Sequence, residues 1–278
     1  MKFLVSVCLP TFNGEKYIKE ALSSIHEQTY KNIEVILSDD NSVDHTLSII
    51  EKFTSNWTIP IKIIKHEPSG IGANWNNCIK HANGKYIKFL FQDDVLYPTC
   101  IEEMVNLAEK DEKIGLVFSD RKILMEIEDK EWLQKYEDLS GKWKKLVQIQ
   151  DGIDLIKQSN IIASPWNKIG EPSAVLIRKD CFSNLGYFSE DLVQYLDLEY
   201  WYKIMLNYKI GFIKKKLAAF RVHNQQATQI NKTSSLKKEN ALFLLFLLRN
   251  VACHVNFKDK VKIASNYLYY TLKLRINN

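Results

Sequence analysis

Short runs of β-branched and apolar residues recur along the first hundred positions, at Phe3–Leu9, Ile33–Leu37, Ile61–Ile64 and Tyr86–Phe91. Their lengths are those of β-strands. Between them the period changes. In Gly14–Gln28 the residues Tyr17, Ile18, Ala21, Leu22 and Ile25 recur at three- and four-residue steps, the stripe of an amphipathic helix. Ser42–Phe53 and Ile71–Ala82 fill the later gaps. Strands alternating with helices predict an α/β fold built on a parallel sheet with right-handed crossovers. Further along, Tyr195, Leu198, Trp201, Tyr202 and Met205 mark a helix, and Lys214–Phe220 reads as a strand. Two more helices are expected over residues 236–256, with eight consecutive apolar residues from Ala241 to Leu248, and over residues 260–275.

Parallel sheets bind ligands at the carboxyl ends of their strands, so that is where polar clusters carry information. The first strand runs into Pro10-Thr-Phe-Asn13, the second into Ser38-Asp-Asp-Asn-Ser42, and the fourth into Gln92-Asp-Asp94. Taken singly, an Asp after a strand is commonly a helix N-cap, and Asp39–Ser42 fits that use as well as a binding use. The adjacent pair Asp93-Asp94 asks for more, because neighbouring carboxylates raise each other's pKa unless a cation holds them. Oxygen-rich sites without cysteine select hard divalent ions such as Mg²⁺ or Mn²⁺.

Composition changes the picture in three places. The chain has 278 residues, 46% of them hydrophobic and 26% charged, which excludes a disordered polymer or a disulfide-stapled miniprotein. Its five cysteines show no CxxC, so reduced thiols are expected. No run reaches the length of a spanning helix and the N-terminus reads as a strand rather than a signal peptide, giving a cytoplasmic protein as the expectation. Charge is uneven: residues 203–278 carry fifteen Lys and Arg against Glu239 and Asp259. A basic tail on an acidic body points to an anionic membrane surface or a polyanion, or to nothing beyond a solvated helical face. Lys260, Lys262, Lys273 and Arg275 among Tyr267, Tyr269 and Tyr270 suit a lipid interface. No nucleic-acid-binding motif accompanies them.

Six stretches, in order, resemble glycosyltransferase family 2, the inverting enzymes that use nucleotide-sugar donors. They are Ser6–Glu15 (SVCLPTFNGE), Glu34–Asp44 (EVILSDDNSVD), Gly84–Asp94 (GKYIKFLFQDD), Gly170–Lys179 (GEPSAVLIRK), Gly186–Glu190 with Asp197–Trp201 (GYFSE, DLEYW) and Phe220–His223 (FRVH). The resemblance implies a GT-A fold, a Rossmann-like nucleotide-binding sheet continuous with an acceptor-binding part. Residues 1–100 would form the nucleotide-sugar part, 101–225 the acceptor-binding and catalytic part, and 226–278 a basic helical tail. It further implies that Pro10, Thr11, Phe12, Asn13 and Glu15 line the donor site. Asp39 would accept a hydrogen bond from the base and Asp93 would bind the ribose. Asp94 would ligate Mn²⁺ or Mg²⁺, and His223 would approach the diphosphate or complete the metal shell. Asp197 would be the general base toward a glycan or lipid-linked glycan acceptor in surface-polysaccharide synthesis, with a UDP-linked donor.

Three positions depart from the family pattern. Phe91 stands where the family often has Asp, Trp75 where an Arg usually precedes Asn76, and Leu196 where a Glu usually precedes the base. Glu199 and Asp191 are therefore competitors of Asp197. Trp166 fits stacking on a sugar or plain core packing equally well. Two other functional classes compete. A nucleotidyltransferase would need a Gly-rich phosphate-cradling loop after the first strand, which Pro10–Glu15 is not. A non-catalytic nucleotide- or glycan-binding module remains compatible with Phe91 and Trp75.

Overall fold

The computed structural model describes residues 3–158, 163–226 and 236–276. Residues 227–235, where the basic tail was expected to begin, lie outside the described residues. The strands are β1 (Val5–Thr11), β2 (Ile33–Asp39), β3 (Ile61–Lys65), β4 (Tyr86–Phe89), β5 (Val95–Leu96), β6 (Ile114–Met125), β7 (Ile149–Asp151), β8 (Val175–Arg178) and β9 (Lys209–Val222). The helices are α1 (Ile18–His26), α2 (Thr46–Thr54), α3 (Ile71–His81), α4 (Cys100–Ala108), α5 (Lys130–Tyr136), α6 (Gly152–Lys157), α7 (Asp180–Leu185), α8 (Leu196–Asn207), α9 (Leu236–Asn250) and α10 (Phe257–Ile276).

Among the described residues the strands form one sheet in the order β3-β2-β1-β4-β8-β6-β9-β5, with β7 also on β9. The first four run parallel. Strand β8 is antiparallel to both neighbours, and β6 and β9 pair in parallel over most of their length. The period of two decides which core each side chain enters. Val5, Val7 and Leu9 pack with Ile18, Leu22 and Ile25 of α1 on one face. Cys8, Ile36, Ile87 and Phe89 pack with α3 and α8 on the other. Polar side chains gather at the strand ends, with buried exceptions such as Lys88 inside β4, whose Nζ donates to Val175 O at 3.0 Å. This is the GT-A α/β architecture followed by C-terminal helices.

Two expected helices begin one turn or so late. Helix α1 starts at Ile18 because Gly14 first closes a turn, its carbonyl accepting from Tyr17 and Ile18. Helix α2 starts at Thr46 rather than Ser42, because Ser42 and Asp44 are used to tie loops, as described below. The expected helix over 236–256 ends at Asn250.

Helix α9 belongs to the body of the protein. Phe243, Leu244 and Leu247 are buried in the core that also holds Trp201 and Tyr202. The Glu239 carboxylate accepts from the backbone N–H groups of Val193 and Gln194 at 2.8 and 2.6 Å. Trp166 packs on Tyr195 and Phe243, each with ring centroids 5.7 Å away, which is core packing. No helix among the described residues is long and apolar enough to cross a membrane. Leu244→Ala should lower stability by ~2–5 kcal/mol through the cavity it leaves. Tryptophan fluorescence and far-UV circular dichroism should then report one urea transition at a lower midpoint, whereas an independently folded tail would give a second transition.

Candidate active site

A cleft of about 1320 Å³ opens at the carboxyl ends of β1, β2 and β4. One wall is the loop after β1. Pro10 and Thr11 at the end of β1, with Phe12, Asn13 and Glu15 after it, all line the cleft. The shape of this loop is held by side chains reaching in from three other segments. The N–H of Phe12 donates to Gln92 Oε1 at 2.9 Å, and that of Asn13 to Ser42 Oγ at 2.9 Å. The N–H of Gly14 donates to Thr46 Oγ1 at 2.7 Å, and that of Glu15 to Asp44 Oδ2 at 3.0 Å. Gln92 also returns an N–H to Phe12 O at 2.9 Å. Gly14 is required for this: a Cβ there would stand 2.4 Å from Gln92 Oε1. Four successive backbone donors are thus already engaged, so the loop is not a phosphate nest of the kind a nucleotidyltransferase uses. Phe12, 52% exposed, leaves its ring free at the cleft mouth.

The loop after β2 corrects one assignment. Asp39, expected to meet the base, is fully buried and does not line the cleft. Its Oδ2 accepts from Thr11 Oγ1 and Ser42 Oγ at 2.8 and 2.7 Å, and its Oδ1 from the Ser42 N–H at 2.8 Å. It ties the end of β1 to the turn that follows β2. The carboxylate that reaches the cleft is the next one, Asp40. Its Oδ1 accepts from the Ser69 N–H at 3.0 Å and lies 3.5 Å from His66 Nδ1.

The adjacent pair Asp93-Asp94 is divided between two environments. Strand β4 ends at Phe89, and the chain then turns, with the Asp94 N–H donating to Phe91 O at 3.1 Å. Both carboxylates meet the end of β9, Asp93 at His223 and Asp94 at the Arg221 N–H. Asp93 lines the cleft; Asp94, expected as the metal ligand, is buried away from it. Asp94 Oδ1 accepts from the Arg221 N–H at 3.0 Å, and its Oδ2 has no hydrogen-bond partner among the described residues. Burial, with Asp93 alongside, drives its pKa well above the ordinary carboxylate range. A buried carboxyl with a bare oxygen must hold its proton or meet a positive charge. His223 does come to the cleft, its Nε2 3.0 Å from Asp93 Oδ2 and its ring 4.9 Å from that of Tyr17. Among the described residues no group of three or more His, Cys, Asp or Glu side chains converges as a metal cage would. Asp93 and His223 are the two side chains of ligand type that meet here and could hold a divalent cation.

Across the cleft, Asp197 sits in the first turn of α8, half-buried. Burial is the main cause that pushes its pKa up to about 7, and Glu171 nearby adds to it. Two donors restrain the carboxylate: the Leu198 N–H to Oδ1 at 2.6 Å, and Asn167 Nδ2 to Oδ2 at 3.0 Å. The Asn167 amide is itself locked, since its Oδ1 accepts from the N–H groups of Ile169 and Gly170 at 3.1 and 2.9 Å. Glu171 lines the cleft and is gripped by buried Arg121, with Nε 2.8 Å from Oε2. The competitors fall away from this geometry. Glu199 pairs with Lys203 at 3.2 Å, and Asp191 is exposed; neither lines the cleft. Asp40, Gln92, Asn167 and Glu171 were missed as functional side chains. Asp40, Gln92 and Glu171 fall within the clusters and stretches singled out in the sequence, whereas Asn167 carried no signal.

Residues 6–175, more than half of the chain, match the family model for glycosyl transferase family 2. The chain belongs to that family. This family 2 glycosyltransferase is 30% identical over 248 residues to an uncharacterized glycosyltransferase of Rickettsia felis, covering 88% of this chain and 38% of that one. Its fold matches S. aureus TarS 1-349 in complex with UDP-GlcNAc, with a TM-score of 0.73 at 22% identity over 98% of this chain and 73% of that one. It also matches the mannosyltransferase PcManGT of Pyrobaculum calidifontis in complex with GDP-Man and Mn²⁺, with a TM-score of 0.57 at 16% identity over 98% and 69% of the two chains.

The raised pKa of Asp197 fixes a stability signature. Between about pH 4 and pH 7 the folded transferase keeps a proton that the unfolded chain releases, so stability falls as pH rises through that window. Asp197→Asn removes this slope. Against wild type, the variant should gain up to a few kcal/mol at pH 8 relative to pH 4, read as the difference in urea midpoints at the two pH values. Equal differences at both would mean that the Asp197 carboxyl titrates normally.

Proposed function

We propose that this transferase is an inverting enzyme that moves a sugar from a UDP-linked donor to a hydroxyl of a glycan or lipid-linked glycan in surface-polysaccharide assembly. The observation that carries this reading is one cleft with a nucleotide-sized wall at one end and a restrained carboxyl of raised pKa at the other. The fold neighbours with UDP-GlcNAc and with GDP-Man and Mn²⁺ support a nucleotide-sugar donor.

The base of the donor lies against Phe12, with Asp40 accepting from its imide N–H, which suits uracil. Thr11, Asn13 and Glu15 shape the rim, and Pro10 ends the strand behind them. Asp93 and His223 would hold Mn²⁺ or Mg²⁺, which when bound neutralises the diphosphate leaving group. Asp94 sits behind them as the buried support of this end. Asp197 takes the proton of the acceptor hydroxyl as its oxygen attacks C1 of the sugar and the bond from C1 to the diphosphate breaks. A single displacement of this kind inverts the anomeric centre. The Asn167 amide and the Leu198 N–H aim the carboxylate, leaving a lone pair toward the cleft.

Helix α10 supports contact with the inner face of an anionic membrane. It turns Val261, Leu268, Tyr269 and Leu272 to solvent, amid exposed Lys258, Lys260, Lys262, Lys273 and Arg275. Apolar side chains among cations fit the headgroup region of anionic lipid.

Two variants of the β2 turn test the nucleotide end. Asp40→Ala should weaken UDP binding about tenfold, the loss of a charged hydrogen bond, with stability near wild type. Asp39→Ala should instead lose ~1–3 kcal/mol of stability through the orphaned donors of Thr11 and Ser42. Titration calorimetry with Mn²⁺ and urea melts separate the two, and UDP affinity unchanged in Asp40→Ala would move the base elsewhere. At the other end, Asp197→Asn should bind UDP normally and lose ~10²–10⁴ in transfer rate. The wild-type profile of kcat/KM should show an acidic limb near pH 7 that the variant lacks. Full transfer by Asp197→Asn would remove it as the base.

A further inference from the structure

Phe91 and Trp75, two of the positions that depart from the family pattern, touch one another. Trp75 on α3 and Phe91 just past β4 have ring centroids 4.8 Å apart at 35°. The pair is backed by Phe188, edge-on to Trp75 at 5.2 Å, and by Phe89 at 5.8 Å. Both rings line the cleft, next to Ile71 and Leu196. Their place along the cleft follows from the chain. Phe91 precedes Asp93 by two residues, and its N–H donates to Ser173 Oγ at 3.1 Å. Ser173 follows Glu171 by two residues, and Glu171 borders Asp197. The aromatic pair therefore floors the stretch between the Asp93–His223 end and Asp197, where the transferred sugar must lie.

Such a floor is selective. It presents π faces and aliphatic C–H groups, and its one polar group, the indole N–H, is a donor only. A sugar hydroxyl turned onto it gives up water and finds no acceptor. A carboxylate turned onto it loses hydration, faces the negative side of the ring quadrupoles and has only the single indole N–H to accept from. A methyl group loses nothing and packs.

We propose that Trp75 and Phe91 select a donor sugar carrying a methyl group, over the parent hexose and the hexuronate. The methyl is that of a 6-deoxyhexose or that of an acetamido sugar, which present the same chemistry to the floor. This rests on the nucleotide-sugar reading above, and the experiment keeps the two apart. Calorimetry on the full chain with Mn²⁺ first takes UDP, TDP and GDP alone. The tightest nucleotide then carries four sugars: a hexose, its 6-deoxy analogue, its 2-acetamido analogue and its uronate. One methyl-bearing donor should bind about tenfold tighter than the hexose, the range a single methyl commands in an apolar pocket. The uronate should bind weakest, and the winning arm names the source of the methyl. Phe91→Leu, still apolar, should keep the preference; Phe91→Asn should reduce it below about threefold. The wild-type series decides alone if a variant does not fold. If a nucleotide binds but the hexose or the uronate matches both methyl-bearing donors, the floor is not a selector and only this proposal falls. A preference that survives Phe91→Asn unchanged overturns it too. If no nucleotide binds, the nucleotide-sugar reading fails and takes the selector with it.

Discussion

A hydrogen bond of 3.0 Å from the Arg221 N–H to the buried Oδ1 of Asp94 joins the end of β9 to the turn after β4. The residues it brings together are more than 120 positions apart. Around it, Arg221 Nε donates to Asp93 O at 2.9 Å and the guanidinium lies 4.7 Å from the Tyr17 ring centroid. Glu126 and Glu20 take its remaining donors. Two residues on, His223 lands on Asp93. That bond, with Arg221 Nε on Asp93 O and His223 on Asp93, positions the Asp93–His223 pair and the buried carboxyl beside it. Burial raises the pKa of Asp94, so the carboxyl beneath this knot favours its protonated form, with the Arg221 N–H on one oxygen.

The Asp197 end of the cleft is built differently. Asp197 is tuned by burial, and its neighbours keep it aimed instead of neutralising it. Asn167 is locked by two backbone N–H groups before it donates to the carboxylate. Arg121 holds Glu171 close enough to add repulsion without occupying the cleft. Behind them, Glu239 of α9 fixes the backbone of Val193 and Gln194, both on the cleft wall. The helix expected as part of a tail is a brace for the loop that leads into α8.

Much of the frame was legible in the chain. The short apolar runs found β1 to β4 within two residues at each end, the helical stripes found α1 and α8, and the gap between the third and fourth runs held α3. The rule that ligands meet parallel strands at their carboxyl ends pointed to Pro10–Glu15, the Asp39-Asp40 pair and Gln92–Asp94. The basic, aromatic character of α10 was equally plain. These features are local: they follow from side-chain periodicity and from the burial of both sheet faces, which a single segment expresses by itself.

What the chain alone did not decide is which member of each pair acts. Asp39 and Asp40 are chemically alike, as are Asp93 and Asp94. Past the last strand residue the alternation that sorts inward from outward no longer holds, and the turn takes over. Thr11 and Ser42 drew Asp39 inward, leaving Asp40 to the cleft; Arg221 drew Asp94 inward, leaving Asp93. Asn167 meets Asp197, and Trp75 meets Phe91, only through packing between segments. The residue types and their order set the fold and brought the right carboxylates near the strand ends. Tertiary contacts chose among them, because facing a cleft is a property of the neighbours that close the other side.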